Sequence, residues 1–252
     1  MKKCVLFIII FLFIFMGADW KTQLPPKEKV PQYLQDISVT IKASGAEGSG
    51  VIRTVTIDGQ KINFILTAAH VIESLKKTDK MIDPISGTER QIVKFDDASV
   101  VKELVEDGKR VGELKMDARI VKYNKDEDLA ICRVLKKNFV DASVVFYMDD
   151  VIPPISTEIY HVGSLLGQTG SNSMTSGIIS QIGRIIDQKE YDQTNASAFP
   201  GSSGGGIYMK DGAYIGCLTR GAGEGFNLSV PMRRIKKWFI SAKLMWIIDP
   251  SS

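Results

Sequence analysis

Two histidines, a serine among glycines and an acidic cluster are the side chains of this sequence that suit nucleophilic catalysis. His70 and His161 are the only histidines in the 252 residues. Histidine is the usual base of a serine hydrolase because its charge changes near neutral pH. His70 follows the apolar run INFILT and two small alanines, so we expect it at a strand end facing a cleft. His161 is interpreted as a structural histidine.

The run FPGSSGGG at residues 199–206 places Ser203 among glycines that permit tight backbone turns. In such a loop the backbone N–H groups of Gly201 and Ser203 could point at one site and hold the oxyanion of a tetrahedral intermediate. A bare glycine and serine run is typical of a flexible linker. Here β-type runs lie on both sides, SGIISQIG before and GIYMKDGAYIGCL after. The sequence therefore predicts a nucleophile, Ser203, inside a folded domain.

The third group is the acidic cluster NKDEDLAI, which leads directly into an apolar run. Asp128 adjoins that run, so its carboxylate could be shielded and could hold the second imidazole nitrogen of the base. Asp126 is the rival candidate for this role. No Cys-x-x-Cys pair or histidine cluster occurs, so the sequence predicts no metal site and no cofactor.

Chain order separates the known types of catalytic triad. The serine also matches the Gly-x-Ser-x-Gly elbow of α/β-hydrolases, but in that fold the histidine follows the serine. No histidine follows His161, so this alternative is excluded. The subtilisin order would need Asp36 or Asp58 as the acid, and the strand-rich pattern argues against it.

The elements that must position these side chains are short strands. Runs of β-type residues follow one another from about residue 36, separated by turn signals such as Asp58-Gly59, Asp107-Gly108 and Asp211-Gly212. Helical patterns occur only after His70, in VIESLKK, and at 232–245. This pattern predicts an all-β protein. A Pro-Pro pair at 153–154 suggests a boundary between two halves.

Composition and the N-terminus bear on partners and location. With 44% hydrophobic and 24% charged residues and a net charge of +3, the chain is an ordinary globular protein, and no nucleic-acid partner is predicted. Residues 1–18 carry two lysines and then an apolar run of roughly 13 residues, which predicts a signal peptide. The alternative is a retained membrane anchor through residues 4–18. Either predicts an exported protein that is periplasmic, secreted or anchored facing outward.

The remaining N-terminal residues and the cysteines complete this organisation. Residues 19–35 contain three prolines and no periodic apolar face, which predicts a linker before a domain at 36–252. Cys132 and Cys217 lie in apolar strand-like runs. The sequence favours two small buried side chains over a single disulfide.

The order His, Asp, Ser on an all-β chain resembles the chymotrypsin-like serine peptidases, and within them the HtrA/Deg branch. The matching blocks are GSGVI at 48–52, ILTAAHVI at 65–72, DLAI at 128–131, VGS at 162–164, TSGIIS at 175–180, QTNA at 193–196, GSSGG at 201–205 and GFNLSVP at 225–231. They stand in the family's order. In trypsin-type zymogens an aspartate before the nucleophile pairs with the new N-terminus formed by proteolytic activation. Ser202 stands at this position here, so the resemblance does not imply proteolytic activation.

This resemblance implies two six-stranded antiparallel β-barrels, at about 36–150 and 151–231, followed by a helix at about 232–245. His70 and Asp128 would come from the first barrel and Ser203 from the second. The implied activity is that of a serine endopeptidase acting on polypeptides in protein quality control or processing, with a homo-oligomer left open. Two alternatives are a protease-fold binding or chaperone-like protein without turnover, and an esterase.

The resemblance also suggests a substrate pocket formed by Ser197, Thr219, Arg220 and Gly221. Because Ser197 is small and neutral, we expect a small or medium aliphatic side chain before the cleaved bond, whereas Arg220 would favour an acidic one. Only about 20 residues follow Pro231, so we expect no PDZ domain after it. The stretch 73–122 is longer than the family's usual stretch between the histidine and the aspartate. We expect it to contain an extra strand pair near 92–116 that covers the active site or a neighbouring subunit.

Overall fold

The structure is a computed structural model that describes residues 19–82, 85, 87–106, 108–221, 223 and 225–251. The signal peptide or anchor predicted at 1–18 lies outside these residues. Among the helices of the described part, none is both long enough and apolar enough to cross a bilayer.

Strands dominate the described residues. They are β1 (Ser38–Ala43), β2 (Ala46–Ile57), β3 (Gln60–Thr67), β4 (Lys76–Ile82), β5 (Glu89–Phe95), β6 (Ala98–Glu106), β7 (Lys109–Asn124), β8 (Leu129–Val134), β9 (Glu158–Gly163), β10 (Ser173–Ile186), β11 (Lys189–Thr194), β12 (Gly206–Met209), β13 (Tyr214–Gly221) and β14 (Asn227–Pro231). The helices are α1 (Val30–Asp36), α2 (Ala69–Ile72), α3 (Met232–Ser241) and α4 (Met245–Ile248), with 3-10 turns at Trp20–Gln23, Lys27–Lys29, Glu73–Leu75 and Gly167–Gly170.

The strands form two closed barrels of six strands each. The first has the order β1-β2-β3-β8-β7-β6 and the second β10-β11-β14-β13-β12-β9, with antiparallel pairing in both. This confirms the prediction of an all-β fold with two barrels.

Side chains along a strand point alternately to its two faces, and this explains how β3 contributes to the packing of both barrels. Ile65 packs inside the first barrel with Ile41 and Val100. Its neighbour Leu66 points the other way and belongs to a cluster that also contains Val230 of the second barrel. The apolar run INFILT is therefore buried on both faces. Strand β3 ends at Thr67, shortly before His70.

The segment between β3 and β7 differs from the prediction. The strand pair outside the barrels is β4 with β5, at residues 76–95, and not a pair near 92–116. Strands β6 and β7 belong to the first barrel, and their pairing runs from Ala98 with Ala118 to Glu106 with Lys109. The helix predicted after His70 is also shorter, because Lys76 and Lys77 already pair in β4.

Residues 19–35 form part of the folded domain, which corrects the prediction of a linker. Trp20, Val30 and Leu34 are buried, and the Trp20 indole N–H donates to Asp149 at 2.9 Å. Three apolar side chains at irregular spacing are enough to fix this short segment, although they form no periodic face in the sequence. The segment packs against both the start of the first barrel and the 145–149 connection.

The C-terminal helix α3 ends at Ser241, a few residues before its predicted end, and α4 follows. Ile235, Trp238 and Phe239 are buried, as the periodicity predicts. The buried Arg53 of β2 donates to the carbonyl oxygens of Ile247, at 2.8 Å, and of Asp249, at 2.6 Å. The C-terminus is therefore held against the first barrel.

Candidate active site

His70 and Asp128 lie side by side because β3 and β8 are paired, with Thr67 opposite Ala130. His70 follows β3 in the short helix α2, and Asp128 directly precedes β8. The Nδ1 atom of His70 lies 2.9 Å from Oδ2 and 3.0 Å from Oδ1 of Asp128. The backbone N–H of His70 also donates to Oδ1, at 3.0 Å. The Asp128 side chain is shielded: 15% of its surface is exposed, whereas 42% of the His70 side chain is exposed.

Ser203 lies in a loop of residues 199–205, the nucleophile loop, that begins with a tight turn. The Ser202 N–H donates to the carbonyl oxygen of Phe199 at 2.9 Å, which places Pro200 and Gly201 at the two central positions. Gly201 has a φ of +97°. A type II turn favours proline and then a residue with positive φ at these positions, so the local sequence specifies this turn.

Each of the two peptide groups that could form an oxyanion hole is fixed by a hydrogen bond to its carbonyl oxygen. The carbonyl oxygen of Pro200 accepts from Leu166 N at 2.8 Å, and that of Ser202 accepts from Gly205 N at 3.0 Å. In a trans peptide the N–H points away from the carbonyl of the same peptide group. The Gly201 N–H therefore points away from Leu166 N, and the Ser203 N–H points away from Gly205 N. Within the described part of the chain neither of them donates to a protein acceptor. The pair is therefore available to an oxyanion.

Ser49 of β2 fixes the nucleophile loop from the first barrel. Its N–H donates to the carbonyl oxygen of Ser203, and its Oγ donates to that of Gly201, both at 2.7 Å. The same Oγ accepts from Ser164 N at 2.7 Å. Sequence reasoning did not identify this role for Ser49, although the block Gly48-Ser49-Gly50 was the available signal.

The nucleophile loop lies against the strand end that carries His70. A Cβ atom added to Gly204 would come within 2.3 Å of Thr67 Oγ1 and 3.0 Å of Ala68 N. Ser203 Oγ and His70 Nε2 are not hydrogen-bonded in this structure. Catalytic hydrogen bonds of this kind are commonly long without substrate and tighten in the Michaelis complex. The loop that carries Ser203 therefore packs against the end of β3, close in the chain to His70, whose partner is Asp128.

A cavity of about 580 Å³ opens beside the nucleophile loop. Among the described residues its lining contains no carboxylate and consists of Ser197, Ala198, Phe199, Pro200, Ser202, Ser203, Leu218, Arg220, Gly221, Gly223 and Asn227. Of the four residues predicted for the pocket, Ser197, Arg220 and Gly221 are among them. Thr219 is not; its side chain is buried, and its Oγ1 has no hydrogen-bond partner within the described residues. Arg220 donates to Asp187 at 3.0 Å.

The other residues considered from sequence neither contact the His70–Asp128 pair nor line the cavity within the described part of the chain. His161 is fully buried, its Nδ1 lies 3.0 Å from the carbonyl oxygen of Gly206, and burial lowers the pKa of its imidazole to about 4. Cys132 and Cys217 are free and buried. Asp126, the rival of Asp128, is exposed. In the residues that the structure describes, no cluster of three or more potential ligands could hold a metal ion.

Comparisons with known proteins agree with this geometry. A family model described as a trypsin-like peptidase domain matches residues 48–216. The periplasmic serine endoprotease DegP of Salmonella typhimurium is 26% identical over 200 residues, which cover 76% of this chain and 34% of DegP.

Solved structures show the same fold. A serine endoprotease from Yersinia pestis superposes with a TM-score of 0.61 and 20% identity, covering 89% of this chain and 67% of that one. Deg5 superposes with a TM-score of 0.59 and 22% identity, covering 85% of this chain and 94% of Deg5. The chain spans about a third of the length of the curated relatives it matches.

Proposed function

The chain belongs to the trypsin-like peptidase family, and we propose that it is a serine endopeptidase with Ser203 as nucleophile, His70 as general base and Asp128 as the residue that orients the base. The observation that carries the proposal is the doubly hydrogen-bonded His70–Asp128 pair together with a loop whose Gly201 and Ser203 amides donate to no acceptor among the described residues.

The proposed reaction is acyl transfer in two steps. His70 Nε2 removes the Ser203 proton as Oγ attacks a peptide carbonyl, and the Gly201 and Ser203 amides hold the oxyanion. The imidazolium then protonates the leaving amine. Water, activated by the same imidazole, attacks the acyl-enzyme and releases the second product. Asp128 keeps the imidazole in one tautomer and orientation throughout.

The substrates we propose are polypeptides with an uncharged aliphatic residue before the cleaved bond. Among the lining residues that the structure describes, none carries a carboxylate that would pair with a lysine or arginine side chain. Leu218 and Ala198 supply apolar surface there, whereas the positive charge of Arg220 already faces Asp187. A medium aliphatic side chain is therefore the best match.

We further propose that the protein is exported and acts in protein quality control or processing, as a membrane-attached or secreted enzyme. The support is the apolar run that follows two lysines in residues 1–18, together with the name of the related DegP, a periplasmic serine endoprotease. Association into a homo-oligomer remains part of the proposal.

The test is hydrolysis of an unfolded polypeptide such as reduced casein by the full chain, with short acyl esters run in parallel. We expect casein cleavage that is lost in Ser203→Ala, while Ser176→Ala, which removes the hydroxyl of an exposed serine in β10, retains turnover. Cleavage of esters without cleavage of casein would identify an esterase. Binding of casein without hydrolysis of either substrate would identify a protease-fold binding protein.

A further inference from the structure

An ion pair between the first barrel and helix α3 adjoins Asp128. Arg234 of α3 donates from Nη2 and Nε to Glu127 Oε2, at 2.7 and 3.1 Å. Glu127 directly precedes Asp128 in the turn at 124–128, which we name the acid turn. We propose that Glu127 and Arg234 are positioning residues that set the place of Asp128 relative to the second barrel. This inference rests on the proposed function.

The backbone of the acid turn shows why an external contact matters. Asp128 has a φ of +52°, in the left-handed region that residues other than glycine occupy only when their surroundings hold them there. Within the turn, Asp128 N donates to the carbonyl oxygen of Lys125 at 3.2 Å and Glu127 N donates to Asn124 Oδ1 at 3.0 Å. Both contacts are local. The Glu127 carboxylate connects this turn to the second barrel.

Burial and charge make this connection specific. The Arg234 side chain is only 8% exposed and that of Glu127 is 25% exposed. Lys189 donates to the second carboxylate oxygen, Oε1, at 3.0 Å. Burial raises the pKa of Glu127, but the hydrogen bonds from Arg234 and Lys189 outweigh it, and the pKa is lowered. The ionised pair has a fixed geometry because charge-assisted bonds to a guanidinium are directional.

Arg234 is itself fixed on the second barrel. Its Nη1 donates to the carbonyl oxygen of Glu190 in β11 at 2.7 Å, and its guanidinium lies 4.9 Å from the centre of the Tyr191 ring. Ser203 belongs to the same barrel. The path from Arg234 through Glu127 to Asp128 therefore places the acid of the first barrel with reference to the barrel that carries the nucleophile.

Arg233 provides a matched control on the same helix. Its guanidinium donates to Asp192 at 2.7 and 2.8 Å and to Glu190 at 2.7 and 2.9 Å. Both partners lie in β11, so Arg233→Met removes a partly buried ion pair without affecting the first barrel.

The experiment measures the second-order rate of fluorophosphonate labelling of the full chain, and kcat and KM for peptide hydrolysis. We expect Arg234→Met and Glu127→Gln to lower this rate by about tenfold to a hundredfold, the usual effect of a small misplacement. The double variant should be no slower than the slower single variant. In peptide hydrolysis kcat should fall with KM little changed, and Arg233→Met should match the wild type.

The outcomes separate this inference from the proposed function. If the wild type is not labelled, the proposed function fails and the inference fails with it. If the wild type is labelled and the folded variants keep its labelling rate and its kcat, only the inference is overturned. It is also overturned if Arg233→Met slows labelling as much as Arg234→Met. Circular dichroism shows whether Arg234→Met folds. If it does not fold, the labelling rate of Glu127→Gln, which keeps the size of the side chain, decides whether the inference holds.

Discussion

The carboxylate of Asp128 contacts His70 at two points, the backbone N–H at 3.0 Å and the ring Nδ1 at 2.9 Å. A ring held through Nδ1 by a carboxylate that is itself fixed by the adjacent backbone has little freedom to rotate. This leaves Nε2 as the nitrogen that can exchange a proton with Ser203. The catalytic role that we propose for Asp128 therefore rests on orientation, and it can be tested by a change that keeps the shape of the side chain.

Asp128→Asn is expected to lower kcat/KM by about four orders of magnitude. The asparagine amide can still accept the His70 backbone N–H, but its NH₂ group would face Nδ1 and favour the wrong tautomer. Fluorophosphonate labelling and casein hydrolysis measure the loss. Asp126→Asn is the control, because Asp126 is exposed in the same turn. An equal loss in Asp126→Asn would contradict the assignment of the acid.

Gly201→Ala is expected to lower kcat by about a hundredfold to a thousandfold, the usual effect of losing one oxyanion donor. The added Cβ would lie 2.3 Å from the carbonyl oxygen of Ser164 and 2.5 Å from Gly167 N, at a φ of +97°. The peptide that carries the Gly201 N–H must therefore move. Gly59→Ala, at a positive φ but with open space around it, is the control for backbone strain alone. A wild-type kcat in Gly201→Ala would show that this amide is not part of the oxyanion hole.

His161 is expected to make stability depend on pH between about 4 and 6.5. Burial lowers its pKa to about 4 in the folded chain, whereas an unfolded histidine has a pKa of about 6.5. The unfolded state then binds more protons in this interval, so this contribution is fully present above pH 6.5 and is lost as pH falls towards 4. The difference between the two pKa values corresponds to about 3 kcal/mol in the free energy of unfolding.

Urea unfolding of the wild type and of His161→Gln across this pH range measures that contribution. The glutamine can still donate to the Gly206 carbonyl oxygen but does not titrate. We expect a clearly shallower decline in the variant. Parallel declines in the two proteins would mean that His161 is not responsible.

Cys132 and Cys217 are expected to be free thiols that react only after unfolding. Burial raises the pKa of Cys132 to about 12 and that of Cys217 above its usual range, so neither supplies a reactive thiolate in the folded state. Alkylation of a Cys4→Ser chain without reductant should modify no cysteine in the native protein and two in guanidinium. A chain that resists alkylation when unfolded would contain the disulfide instead.

The sequence was most informative where chemistry restricts the residue type. Only two histidines occur, the serine lies among glycines, and the order of the motifs excludes competing folds, so His70, Asp128 and Ser203 could be chosen before any geometry was known. The barrels followed from the family resemblance and the density of short strands. These features depend on local patterns and chain order, which a single sequence contains.

Other features depend on partners far apart in the chain, which no local pattern reveals. Trp20 and Leu34 are buried by surfaces formed more than a hundred residues later, so their segment was mistaken for a linker. Glu127 belongs to an acidic cluster of the kind that is usually a solvated turn, and its partner Arg234 lies 107 positions away. Ser49 and the Leu166 amide act on the nucleophile loop through contacts that only the fold creates.

The most direct test of the triad is to map the site of a fluorophosphonate adduct by mass spectrometry of the full chain. We predict a single adduct on Ser203, no adduct in Ser203→Ala, and labelling slowed by several orders of magnitude in His70→Ala. An adduct on another residue, labelling that persists in Ser203→Ala, or a His70→Ala variant labelled at the wild-type rate would contradict the account.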